Sequence, residues 1–437
     1  MDNQNLFSQS YDQITKQILG TGNNYFQMLG NPQSFNWPVA ASGQLAPQAY
    51  QLMSAAPVYS PVGTFGGVGT STLFDNYRQI FGHVGFNNSP EIEQQIKDLS
   101  DNVTAAQNEV TKTSTNANTA YLTAKQNGGV IFEAQYPSIA DWMAGPGSNY
   151  ATEAETWTKK ADAILKQIQS LNAANQPTEL SDALALMARP TSSPSAGDAP
   201  RGWTKVANGA GVLEWQPSFT ISTSSQSWRQ ELTKGTIGEK SITLDASKSD
   251  SSITKSWAGA NVSYGTPFWG VYASGKWSET NITKSDNSVT ATVKMQSATN
   301  VLITPGAWYN GGFLKQMANA GTQGTGYSIL QPYSSTGGDH PLFGANGICS
   351  TMVSGLVVAY RPSFSITMKS STYKSFEQSI SASAGLRIGP FSFGGSGGHY
   401  QHDVSTTGNS TTVIGGSTSD DPVILGVTVG FPGTEKP

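Results

Sequence analysis

Charge is what this sequence has least of. Asp, Glu, Lys and Arg together make up 12% of 437 residues, about half the ~25% of an ordinary soluble domain. The formal net charge is −4, whereas nucleic-acid binding by counterion release needs clustered Lys and Arg. Nucleic acid is therefore not expected as a partner. A surface this neutral also has little repulsion to hold copies apart, which favours self-association. Cysteine occurs once, at Cys349, so no disulfide can close within the chain. Its setting in the apolar run GICSTMVSGLVVAY predicts a buried side chain. No apolar run approaches the ~18 residues of a spanning helix. The opening MDNQNLFSQSYDQ has no basic region followed by an apolar stretch, so no secretory leader is expected. That points to cytoplasmic synthesis, with any release by lysis or a dedicated exporter.

What replaces charge is Ser, Thr, Asn, Gln and 47 glycines. Over residues 4–19, Phe7, Tyr11, Ile14 and Ile18 recur at helical spacing, and Gly20 predicts the stop. From Gln17 to Phe74 no side chain is charged, and Pro, Gly, Asn and aromatics dominate. Such a stretch builds no periodic element, yet its aromatics argue against a solvated tail. It is expected as an extended arm laid over another surface, a neighbouring subunit's included, with Phe35, Trp37, Tyr50, Tyr59 and Phe65 as the docking side chains.

The next region is helical. Ser89 caps and Pro90 takes the first helical position, after which apolar or small residues fall at 92, 96, 99, 103, 106, 110, 113, 117, 120 and 124. Steps of 4 and 3 give the 3.5-residue repeat of a coiled-coil seam. A second helix over about 150–174 repeats it with Ala154, Trp157, Ala161, Ile164, Ile168 and Leu171, predicting a helical hairpin. A short helix near 179–188 ends at Pro190, and PTSSPSAGDAP reads as a linker.

After residue 205 the period changes to two. The segment PSFTISTSSQSW at 217–228 is echoed by PSFSITMKSSTY at 362–373. In the first copy Leu213, Trp215, Phe219 and Ile221 share one strand face; in the second Val358, Tyr360, Phe364 and Ile366 do so. Pro217 and Pro362, at the same place in each, predict an edge or a bulge. Further echoes follow in the same order: GTPFWG (265–270) and GPFSFG (389–394), NSVT (287–290) and NSTT (409–412), VLI (301–303) and VIL (423–425). Ordered recurrence predicts an internal duplication whose two modules cover each other's apolar faces.

Catalytic chemistry finds few carriers. Of four histidines, His399 and His402 beside Asp403 are the metal candidates, but an i, i+3 pair on a strand points to opposite faces. His340 adjoins Asp339 without a nucleophile to activate. SITK (252–255) and STYK (371–374) match S-x-x-K, a motif that needs a helical turn to stack Ser under Lys, and both lie in Ser/Thr-rich sequence that reads as β. The glycine clusters lack the GK[ST] of a phosphate loop. No enzyme, cofactor or metal site is expected.

Aromatic placement leaves two further candidates. Residues 256–279 alternate on both arms of a hairpin turned at GTPF, with Trp257, Tyr264, Phe268, Trp269, Val271 and Trp277 as its apolar side chains. This is either a core hairpin or one that enters a lipid membrane after oligomerisation, as in a β-barrel pore. Trp308 and Tyr309 in PGAWYNGG are candidates for stacking on a glycan. The expectation is an α+β protein: an uncharged N-terminal arm with short helices (1–89), a helical-hairpin domain (90–189), a linker (190–204), β-module copy 1 (205–310), a crossover (311–355) and β-module copy 2 (356–437), the two copies forming a duplicated antiparallel β-sandwich or barrel. Its expected function is non-enzymatic self-association into a homo-oligomer or filament through the arm and β-sheet edges. The alternative is a membrane-active, pore-forming, toxin-like protein.

Overall fold

The computed structural model describes residues 6–20, 25–34, 47–61, 63, 65, 71–136, 139–143, 145–194, 197–207, 213–221, 225–248, 269–271, 286–320, 323–324, 326–381, 385–394, 400–417 and 419–434. Helices and mainly antiparallel sheets are both extensive, so the chain is α+β.

The uncharged N-terminal segment is laid over its own chain. Helix α1 (Leu6–Ile14) runs on through a π-helical turn, Thr15–Leu19, and stops at Gly20 with φ of 81°, a conformation that costs glycine little. Strand β1 (Phe26–Ser34) pairs antiparallel with Val423–Gly430 at the other end of the chain. Helix α2 (Pro47–Ser54) buries Leu52 and Met53. Three of the candidate docking residues, Tyr50, Tyr59 and Phe65, already have partners within the chain. Tyr50 is buried and donates its hydroxyl to the Pro217 carbonyl at 3.0 Å, and Phe65 is buried in the same core. Tyr59 meets Tyr25 and Phe431 edge to face. At the buried positions described here an ionised side chain would have to be desolvated without a partner. Phe35 and Trp37 lie outside the described residues.

Helix α3 (Leu73–Gly82), capped by the Thr72 side chain, leads through β2 (Val84–Gly85) to α4 (Pro90–Gln135). Ser89 accepts from the Ile92 N–H and Pro90 occupies the first turn, as expected. With 46 residues α4 is about 69 Å long. After α5 (Ile139–Met143), α6 (Ser148–Asn172) packs back along α4 through Ile96, Val103, Leu165 and Ile168. The buried line on α4 keeps the seam at 96, 103, 106, 113 and 117, but substitutes Ser100 for Leu99 and Tyr121 for Ala120. On α6 Leu165, not Ile164, is buried. A part-buried Arg78–Asp162 ion pair ties α3 to α6. Helix α7 (Thr178–Leu186) joins the main core through Leu180 and Leu184.

The stretch expected as a linker is stitched down. The indole of Trp203 donates to the Leu186 carbonyl and that of Trp215 to the Ser192 carbonyl. Strands β3 (Trp203–Ala207) and β4 (Leu213–Pro217) form a two-stranded sheet, then β5 (Phe219–Ile221), α8 (Ser225–Thr233), β6 (Lys240–Asp245), β7 (Trp269–Val271) and β8 (Thr290–Pro305) follow. The crossover holds α9 (Gly311–Ala320), β9 (Gln323–Gly324), β10 (Tyr327–Ile329), β11 (Ser334–Thr336) and β12 (Pro341–Phe343). The last region is β13 (Met352–Lys369), α10 (Ser370–Ser381), β14 (Gly385–Ile388), β15 (Phe391–Gly394), β16 (Tyr400–Thr407), β17 (Ser410–Ser417) and β18 (Val423–Gly430).

The echoed strands do not cover each other's faces. β5 pairs with β8, and β8 pairs with β13, so both echoes lie in one eight-stranded sheet, joined edge to edge. Both prolines mark a change of partner. Pro217 ends the pairing of β4 with β3 before β5 moves to β8. At Pro362, β13 exchanges β18 for β17 on one side, with Arg361 at φ of 43°. The alternation inverts across this left-handed residue with no shift of register against β8: Val357 and Ala359 enter one core before it, Phe364, Ile366 and Met368 after it. Val358 and Tyr360 consequently belong to the opposite core, so the four residues expected on one face are divided. One core draws on residues from Leu29 to Phe431, so arm, α7, crossover and both β regions share an interior.

Candidate functional site

The two lateral edges of the β6-β8-β13-β17-β16 array differ. On the β6 side α1 stands where another strand would pair. Gln9 Nε2 donates to the Asp245 carbonyl (3.2 Å) and its Oε1 accepts from the Asp245 N–H (2.9 Å). Gln13 does the same for Thr243 (2.6 and 2.7 Å), and Gln17 Oε1 accepts from the Ser241 N–H at 3.1 Å. Four residues of helix rise about 6 Å and two residues of strand about 6.8 Å, so glutamines at i, i+4 and i+8 keep step with alternate strand residues. The ladder satisfies the edge and shields it from other chains.

On the other side β16 has β17 as its partner among the described residues. Residues 403–407 are exposed. Among the described residues four large apolar side chains are exposed, Val58, Leu302, Val404 (43%) and Ile414 (51%), and two of them sit on these last two strands. Val404 is opposite buried Val413, so it shares the core-side face, while Ile414 is on the reverse. One exposed apolar side chain thus lies on each face of the β16–β17 hairpin. Its only ionised side chain is Asp403, and it has neither the lysine nor the proline that commonly blunts an edge. The reverse face carries a polar row in register, Asp245 followed by the hydroxyls of Thr290, Thr367, Thr412 and Ser405 across the five strands. Thr367 and Thr412 share a hydrogen bond of 3.2 Å, and Thr243 and Thr292 one of 3.1 Å.

The remaining candidates are dispersed. Trp308 is fully buried, donates to the Ser218 carbonyl at 2.8 Å and packs against Phe74, Tyr77 and Phe219. It cannot be a glycan platform, and half-buried Tyr309 stacks against Tyr77. His399 lies outside the described residues; His402 is on β16 in register with Gly415. Among the described residues no three metal-ligating side chains gather. His340 is exposed. Ser371 and Lys374 do lie on a helix, α10, because the strand ends sooner than its composition suggests, and both are exposed. Cys349 is buried, and desolvation pushes its thiol up to about 12, far from nucleophilic use.

Of the membrane-hairpin residues, Trp257, Tyr264, Phe268 and Trp277 lie outside the described residues. Trp269 and Val271 are on β7, in register with Ile388 and Leu386 of β14. No helix among the described residues is long and apolar enough to cross a membrane.

One polar cluster had no sequence signal. His83 is buried, its Nδ1 is 2.5 Å from Ser100 Oγ on α4, and its ring stacks at 3.6 Å on Tyr333, which is 5.6 Å from His340. Nε2 has no partner among the described residues. Burial, with His340 adding to it, lowers the imidazole pKa to about 3. The Ser100–His83 contact ties α4 to the segment between α3 and β2.

No family model, curated protein or solved structure matches the chain.

Proposed function

We propose that this chain is a non-enzymatic, self-associating protein whose copies join through strand-to-strand contact at the β16 edge. The observation that carries this is the asymmetry of the sheet: a glutamine ladder closes β6, while β16 has no outer partner among the described residues and exposes Val404, with Ile414 exposed on neighbouring β17. A low charge content removes the repulsion that would oppose such contact. The arm does not take part in this mechanism, because Tyr50 and Phe65 belong to its own core. Duplication of a β unit forms part of the reading. It is supported by the start of α8 at Ser225 and α10 at Ser370, each following its echo strand 145 positions apart. It is also supported by β8 and β17 flanking β13 with Thr290 and Thr412 both opposite Thr367.

Light scattering over a concentration series tests the reading. It predicts a mass that rises above one chain with concentration; a constant single-chain mass would overturn it.

A further inference from the structure

Resting on that reading, we propose that β16 pairs antiparallel with β16 of a second copy about a two-fold axis at Val404. A two-fold normal to the sheet makes one residue face its own twin, because directly opposed side chains share a face. For a strand spanning Tyr400–Thr407 the longest overlaps are 401–407, centred on Val404, and 400–406, centred on Asp403.

Two observations select the first. The β16–β17 hairpin closes with Thr407 opposite Ser410 over the two-residue loop Gly408–Asn409, Gly408 having φ of 60°. In such a loop the closing pair is hydrogen-bonded and bonding alternates along the ladder. Residues 403, 405 and 407 therefore direct their backbone groups to β17, and 402, 404 and 406 direct theirs outward. Centring on Val404 makes it a hydrogen-bonded pair and sets its exposed side chain against its twin. It also places Asp403 opposite Ser405 and His402 opposite Thr406. Centring on Asp403 instead makes a non-hydrogen-bonded pair, whose Cα atoms approach to about 4.5 Å, with two like charges face to face. Directly opposed like charges destabilise a ladder.

The partner is thus a second copy of this chain, and the product is a closed dimer with one continuous sheet. A single strand-to-strand contact lies at the small end of specific interfaces, so dimerisation should depend on concentration.

Mixing the single variants Gln401→Cys and Thr407→Cys under mild oxidation tests the register. These positions face each other across the proposed axis at about 4.5 Å between Cα atoms, within disulfide range. Each is far from its own twin, and native Cys349 is fully buried. A disulfide-linked dimer is expected from the mixture and not from either variant alone. Linkage by one variant alone, or none in the mixture while light scattering still reports an oligomer, overturns the register and leaves self-association standing. A chain that stays single overturns both. Should either cysteine variant fail to fold, Val404→Pro serves. The Val404 N–H points away from β17, so the hairpin keeps its ladder and the dimer alone should be lost; a dimer undiminished in Val404→Pro overturns the proposal.

Discussion

Gln13 holds Thr243 by both ends of its backbone: Nε2 donates to the Thr243 carbonyl at 2.6 Å, and Oε1 accepts from the Thr243 N–H at 2.7 Å. A side-chain amide carries the same donor and acceptor as a peptide, so the helix imitates a neighbouring strand. Gln13→Ala removes these two hydrogen bonds and a third, from Nε2 to the Gln9 carbonyl at 3.0 Å, of about 1 kcal/mol each. A denaturant midpoint lower by about 2–3 kcal/mol of stability is expected. Because the variant also bares β6, it should form larger assemblies than the parent at equal concentration, read by light scattering.

Acid should loosen the base of α4. His83 is neutral in the fold, its pKa lowered by burial to about 3, whereas an unfolded histidine titrates near 6.5. Below about pH 6.5 the unfolded chain binds a proton that the folded one refuses. The stabilisation is therefore complete above that pH and lost as pH falls. Ser100, Tyr333 and His340 are the groups around it, and none supplies a carboxylate to offset the charge. The loss is about 2 kcal/mol by pH 5. Unfolding at pH 7.5 and pH 5 should show this drop in the parent and a smaller one in His83→Gln. Asp286 acts at lower pH. Against the cost of its burial, hydrogen bonds from Ser288, Thr372 and the Lys369 N–H hold its carboxyl down to about 2, so its contribution fades only below about pH 4.

Trp308 should behave as a core residue. Trp308→Ala opens a cavity among Phe74, Tyr77 and Phe219, at a cost of about 3–5 kcal/mol. Trp308→Phe keeps most of the packing and leaves the Ser218 carbonyl its bond from the Gly306 N–H, so it should lose less. A glycan array should show no binding by the parent for Trp308 to abolish.

The membrane alternative makes the opposite prediction for lipid. The β7 segment is held to β14 through Trp269, Gly270 and Val271, so inserting that hairpin would first break this ladder. Assembly through β16 needs no lipid, and dye-loaded liposomes should stay intact with the parent protein. Release that is lost in Trp269→Ser would favour the pore.

Sequence carried those features that are local. The Ser89–Pro90 start of α4, the seam through Ile96, Val103 and Ala106, and the stop at Gly20 each rest on neighbours within a turn or two. Pro217 and Pro362 were legible as interruptions because proline lacks an N–H whatever its partner. Features set by distant partners were not. Lack of charge in residues 20–74 has the same cause in an arm docked on a neighbour as in one buried at home, and only the pairing of β1 with β18 decides between them. The alternation around Tyr360 and Phe364 looks continuous, since its inversion turns on backbone conformation at Arg361. Gln9, Gln13 and Gln17 read as the polar face of a helix until β6 is placed beside them. The open β16 edge belongs to this second kind: its sequence shows a strand, and only the sheet order shows that nothing described lies beyond it.

Sedimentation velocity of the full chain beside Val404→Lys, over a shared concentration range, bears most directly on assembly through β16. The parent should pass from monomer to dimer as concentration rises, while Val404→Lys, with unchanged circular dichroism, should remain a monomer. A parent that sediments as a single chain throughout, or a lysine variant that dimerises equally well, would contradict the account.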